Sequence, residues 1–154
     1  MKRVEQAIAH IAENINGKAV LEIACGCAEF SLAAAQTAKS VDGIDLDYLR
    51  LPPQAHKTED FAFTIMDATN MTFAEGSFDT AVMYNAIGHL GAVLEKVLKE
   101  CLRVTKPGGA IFVISSFRMD MPAIDEKLLP LLAKKQIAFA EESDGTFRYI
   151  KIDR

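Results

Sequence analysis

A chain of 154 residues, half of them hydrophobic and a quarter charged, is long enough to bury one sizeable core and has an ordinary globular composition. Its net charge of -4 argues against a phosphate-backbone partner, so no nucleic acid is expected. No apolar run approaches the ~20 residues that cross a bilayer. The charged start Met1-Lys2-Arg3 lacks the apolar centre of a signal peptide, and three cysteines do not make a secreted disulfide framework. The expectation is a cytoplasmic chain with no membrane partner.

Val4, Ile8, Ile11 and Ile15 recur at three and four and predict an N-terminal helix over 1–16, ended by Asn16-Gly17. Residues 19–24 read as a buried strand, and an Ala-rich helix follows from about Glu29 to Lys39. Residues 41–45 form a second strand. Pro52-Pro53 forbids a long regular helix, which reduces 46–60 to a short helical turn and a loop. Phe61, Phe63 and Ile65 lead a third strand into Asp67, and Phe78 to Tyr84 makes a fourth.

Leu90, Val93, Leu94, Val97, Leu98, Cys101 and Leu102 then hold helical period. Thr105-Lys106-Pro107-Gly108-Gly109 stops that helix and turns the chain into a fifth strand, Ala110 to Ser115. A helix over 124–134 follows, in which Pro130 implies a kink or an earlier stop. Gln136 to Glu142 and Thr146 to Ile152, joined across Asp144-Gly145, read as a hairpin.

Strand–helix alternation through the fifth strand predicts an α/β fold: a doubly wound, mostly parallel sheet with helices on both faces and a C-terminal antiparallel hairpin strand. One domain spans 1–154, with the N-terminal helix in 1–16, a ligand-binding core in 19–115, and a helix plus closing hairpin in 123–152.

In such a sheet the carboxyl ends of the strands form the ligand crevice. The first strand runs into the small-residue turn Ala24-Cys25-Gly26-Cys27-Ala28, and Asp45 closes the second strand. A tight turn that admits a ligand to the backbone, with an acid to grip ribose hydroxyls, is the layout of a nucleoside pocket. Glu22, Asp45 and Asp67 mark the ends of three strands, and no Lys or Arg lies in 19–38. A pyrophosphate would be poorly served there. A ligand that is a nucleoside at one end and cationic at the other fits: S-adenosyl-L-methionine. Cys25 and Cys27, with distant Cys101 and no nearby His, fall short of a zinc ligand set, so no metal is expected.

Five segments in order carry a family resemblance: Val20 to Ala28, Gly43-Ile44-Asp45, Met66-Asp67-Ala68, Gly76 to Val82, and Leu102 to Gly109. The chain resembles a class I S-adenosylmethionine-dependent methyltransferase of the small methyltransferase-domain, type 11-like, family. That resemblance implies a Rossmann-like fold and methyl transfer to a small-molecule acceptor, with S-adenosyl-L-homocysteine as product. Glu22 would act near the methionine amino group, and Ala24, Cys25 and Gly26 would wall the cofactor. Asp45 would accept from both ribose hydroxyls, and Leu46 would lie against the adenine. Asp67 would take the adenine amino group with help from the Ala68 amide, and backbone around Tyr84 would meet the methionine end. The alternative for Glu22 and Asp67 is a strand-end cap.

The family prefers glycine where this chain has Ala24 and Ala28. Alanine resists positive φ, so a backbone pushed off the ligand and weaker cofactor binding are expected. A catalytically inactive cofactor-binding protein, acting as partner or regulator, is the alternative function. A nicotinamide-dependent oxidoreductase is disfavoured by the acidic crevice and the terminal hairpin. His89 is the candidate base, its ordinary pKa suiting proton removal near neutrality; a helix-start histidine bonded to backbone is the alternative. His10 and His56 are expected at the surface. Phe117, Met119 and Met121 form a candidate apolar rim, with ordinary core packing as the equal alternative. So little cover implies an open pocket or closure by a second subunit in a homodimer.

Overall fold

Strict alternation along the central strands divides two cores. In the computed structural model, which describes residues 1–154, Leu21 and Ile23 face one layer of helices while Val20 faces the other. These residues belong to β1 (Ala19–Ile23). Met83 and Val82 divide in the same way on β4 (Phe78–Tyr84), as do Val113 and Phe112 on β5 (Thr105–Ser115). Each large buried side chain contributes about 1.5–3 kcal/mol, so a one-residue slip of any central strand would reverse many such terms at once.

The other strands are β2 (Ser40–Asp45), β3 (Phe61–Ile65), β6 (Ala140–Ser143) and β7 (Arg148–Asp153), and all seven join one sheet in the order β3-β2-β1-β4-β5-β7-β6. The first five pair in parallel, whereas β7 runs antiparallel to both β5 and β6. The order reverses beside β1, whose neighbours are β2 and β4, and this is the switch point where a crevice opens. Helices α1 (Arg3–His10) and α2 (Glu29–Ala34) cover one face. The other face packs against α3 (Ile87–Leu90), α4 (Leu94–Val104) and the helical stretch from α5 (Met121–Ala123) to α6 (Leu129–Lys134).

Several boundaries differ from the sequence reading. The N-terminal helix ends at His10 and passes into a 3-10 turn over Ala12–Asn14, because the Asn14 carbonyl accepts from the Thr80 hydroxyl at 2.6 Å instead of continuing a helix. Helix α2 ends at Ala34, and the carbonyl of Thr37 accepts from the Gly17 amide at 2.9 Å. The helix expected from Leu90 begins at Leu94, after α3 and a 3-10 turn over Gly91–Val93; Gly88 and Gly91 weaken continuous helix there.

Strand β5 starts at Thr105, not Ala110, since a register shift between Phe78 and Thr80 absorbs the Pro107-Gly108 segment. Pro130 neither stops nor shortens its helix. A π turn over Ile124–Leu128 precedes it and places the proline in the first turn of α6, where its missing N–H costs little. The hairpin around Asp144-Gly145 forms, with its first strand trimmed to Ala140–Ser143.

Candidate active site

The end of β1 carries a buried acid. Glu22 is 1% exposed, and the amide and hydroxyl of Ser31 on α2 donate to its Oε1 at 3.0 and 2.6 Å. Burial pushes the carboxyl up to about 8; the Ser31 bonds oppose this and the nearby charges of Asp45 and Glu29 add to it. Both protein bonds fall on Oε1, which leaves Oε2 for a ligand.

The turn after β1 is left-handed despite its alanines. Ala24, Gly26 and Ala28 all adopt left-handed backbone, at φ of 54°, 55° and 59°. One long-range and one local hydrogen bond hold that shape: the Cys25 amide donates to the Ile44 carbonyl at 3.0 Å, and within the turn the Ala28 amide donates to the Cys25 carbonyl at 2.7 Å. The two methyls therefore do not exclude positive φ. Their cost is local strain of about 1–2 kcal/mol per residue, carried by the folded chain.

Asp45, at the end of β2, fastens the turn from the other side. Its Oδ2 accepts from the Gly26 amide at 2.8 Å and its Oδ1 from the Leu46 amide at 2.7 Å. Leu46 itself is 71% exposed at the mouth. Beyond β3, Asp67 caps its own loop, its Oδ1 accepting from the Thr69 amide and hydroxyl at 2.8 and 2.7 Å. Those bonds hold its carboxyl below the usual range and leave Oδ2 unused. The cap read as an alternative is thus present, and Asp67 still lines the crevice beside Ala68.

At the end of β4, Tyr84 packs between Phe30 and Phe147 with ring centroids 5.4 and 5.7 Å away, and burial pushes its hydroxyl up to about 12. Asn85 follows at φ 49°, and its Oδ1 accepts from the Ser116 amide at 2.8 Å. His89 on α3 lines the same cavity, of about 410 Å³, together with Phe117 and Val93. Its amide donates to the Ala86 carbonyl at 3.0 Å, as a helix-start residue does, while the ring borders the cavity. All nine residues read as cofactor ligands border this one cavity. His10 and His56 are exposed, as expected. Met121 takes the core-packing alternative, while Phe117 borders the cavity.

Two features escaped the sequence. Asp120, fully buried in the loop after β5, accepts from the Ser115 hydroxyl and from the Gly88 amide at 3.0 Å, so it holds the start of α3. Arg50 reaches the crevice from the loop after β2, and Glu29 adds a further acid. The charge pattern of 19–38 alone does not reveal Arg50, because only folding brings residue 50 beside residue 26. No three His, Cys, Asp or Glu side chains gather as a metal ligand set.

This geometry has relatives. The methyltransferase domain family matches residues 21–113, which run from β1 through β5. The chain belongs to that family. A demethylmenaquinone methyltransferase of Desulfitobacterium hafniense is 29% identical to this methyltransferase domain over 134 residues, covering 77% of this chain and 53% of the relative. Another, of Paenarthrobacter aurescens, is 35% identical over 101 residues, covering 66% and 39%. The domain spans about half the length of these curated relatives, or less. Among solved structures, a SAM-dependent methyltransferase of Aquifex aeolicus superposes with a TM-score of 0.77 at 16% identity, over 96% of this chain and 89% of that one. A Burkholderia thailandensis 1,6-didemethyltoxoflavin-N1-methyltransferase, solved with bound 1,6-didemethyltoxoflavin and S-adenosylhomocysteine, gives 0.71 at 17% identity, over 97% and 75%. The likeness to these structures establishes the class I methyltransferase fold. No helix of the domain is long and apolar enough to cross a membrane.

Proposed function

We propose that this domain binds S-adenosyl-L-methionine in the crevice and transfers its methyl group to a small-molecule acceptor. The observation that carries this reading is the pairing of Glu22 and Asp45 around the left-handed turn: Glu22 keeps Oε2 clear of protein bonds, and Asp45 takes one amide on each oxygen with lone pairs to spare. The bound sulfonium supplies an activated methyl group and a good leaving group. Glu22 Oε2 faces the donor's ammonium, and Asp45 accepts from the two ribose hydroxyls. Leu46 lies on the adenine while Asp67 Oδ2 and the Ala68 amide read its edge. Ala24, Cys25 and Gly26 form the wall, and Tyr84 backbone meets the methionine end.

The protein's part in the reaction is to align donor and acceptor and to keep water out. Phe117, Leu90 and Val93 give the acceptor side an apolar wall, which suits a small aromatic or apolar acceptor. Relatives named for demethylmenaquinone support that class. His89 takes the proton where the acceptor must lose one. The inactive alternative rested on a turn spoiled by two alanines, and that turn keeps its left-handed shape. The reading treats 1–154 as one domain in the cytoplasm, with no nucleic-acid partner and with a second copy as the candidate cover for the acceptor.

Thermal-shift titration tests it. S-adenosyl-L-homocysteine is expected to raise Tm in a concentration-dependent way, and NAD is not. Stabilisation by NAD alone would overturn the reading. Formation of S-adenosyl-L-homocysteine with a candidate acceptor separates an active enzyme from a binding protein.

A further inference from the structure

One strong cation stands in an otherwise acidic crevice. After β2, Asp47 Oδ1 accepts from the Leu49 amide at 2.9 Å and the Leu51 amide donates to the Tyr48 carbonyl at 3.0 Å, closing a turn that presents Arg50. Its guanidinium lies flat against the glycine of the cofactor turn: a Cβ built on Gly26 would meet Nη1 at 3.1 Å and Cζ at 3.3 Å. Arg50 is the single Lys or Arg lining the cavity, and it takes part in none of the protein's ion pairs. An unpaired guanidinium in the same cavity lining as Glu22, Glu29 and Asp45 has a planar fork of donors still to satisfy.

The donor's amino-acid end is a zwitterion, so it needs two counter-charges. Glu22 supplies one for the ammonium. The carboxylate would be repelled by the acids of the wall, and the only uncommitted amides of this turn are those of Cys27 and the first residues of α2, which carry no full charge. The Gly26 amide is taken by Asp45, the Cys25 amide by Ile44 and the Ala28 amide by Cys25. We infer that Arg50, set against Gly26, binds the donor's carboxylate by extending its guanidinium from the turn after β2. The inference rests on the donor reading of the crevice. It makes Arg50 a ligand-binding residue that the spacing of acids and glycine does not disclose.

Calorimetry with two ligands decides the matter: S-adenosyl-L-homocysteine, which carries the carboxylate, and 5′-methylthioadenosine, which lacks the whole amino-acid end. Arg50→Met is expected to weaken S-adenosyl-L-homocysteine about tenfold, the low end for a charged hydrogen bond at a solvent-facing site, and to leave 5′-methylthioadenosine within twofold. Arg50→Lys should restore part of the loss, since a point charge replaces the fork. An unchanged or tighter S-adenosyl-L-homocysteine complex would overturn the role, the latter marking the guanidinium as an obstruction. So would an equal loss for both ligands, which would assign Arg50 to the nucleoside end. If the unaltered domain binds neither ligand, the donor reading itself falls and this inference falls with it.

Discussion

Asp45 holds the amide of Gly26 at 2.8 Å, tying the end of β2 to the crest of the turn that follows β1. One carboxylate thereby fixes the turn and presents its remaining lone pairs to the crevice. Asp45→Ala removes both functions. It is expected to weaken S-adenosyl-L-homocysteine by at least about tenfold and to cost about 1–3 kcal/mol of stability from the orphaned amide. Calorimetry and urea denaturation read the two effects separately. Asp45→Asn keeps one acceptor and should fall between.

The strained alanines make a second prediction. Ala24 is at φ 54°, so Ala24→Gly should relieve about 1 kcal/mol and raise Tm by about 3 °C. Ala28→Gly should gain less, because its methyl is fully buried and its loss leaves a small void. Since the turn already has its left-handed shape, donor affinity should stay within twofold in both variants. Melting curves and calorimetry check this; a large gain in affinity would show that the methyls hold the backbone off the ligand.

Glu22 sets a pH dependence. Its folded pKa, about 8, lies above the ordinary 4.5, so the folded state retains a proton that the unfolded chain releases. The contribution to stability is complete below pH 4.5 and is lost as pH rises through about 8. Urea denaturation at pH 5.5 and 8.5 should show stability falling for the native sequence and a flatter profile for Glu22→Gln, which still accepts from Ser31. Binding runs the opposite way. A cationic donor favours ionised Glu22, so affinity should rise from pH 6 to 8 with release of a proton, measurable by calorimetry in buffers of different ionisation enthalpy.

Gly88 is a steric requirement. A Cβ there would lie 2.6 Å from Asp120 Oδ1, the atom that accepts from the Gly88 amide. Gly88→Ala should therefore cost about 1–3 kcal/mol by overpacking and shift the helix start that carries His89. A lowered Tm, accompanied by changed His89 ring chemical shifts in NMR spectra, is the expected result.

Much of this was legible because the signals are local. The alternation of apolar residues on β1, β4 and β5, the Asp144-Gly145 hairpin and the carboxylates at strand ends all depend on near neighbours in sequence. Helix ends were less legible because tertiary bonds decide them: Thr80 reaches Asn14, and Gly17 reaches Thr37. Pro130 rightly signalled a break in regular helix, but its form, a π turn before α6, is beyond any single-residue propensity. The left-handed shape of the alanine turn was hidden for a related reason, since it depends on bonds that the Gly26 and Cys25 amides donate to Asp45 and Ile44. Arg50 and Asp120 were hidden because their partners, Gly26 and Gly88, are brought to them by the loops after β2 and β5.

The central claim is that the acidic crevice holds the adenosyl donor by its ribose and its amino group. A crystal structure grown with S-adenosyl-L-homocysteine tests it most directly. The account predicts both ribose hydroxyls within hydrogen-bond distance of Asp45 and the ammonium beside Glu22 Oε2. Ligand bound elsewhere, with Asp45 still engaged only by Gly26 and Leu46, would contradict it.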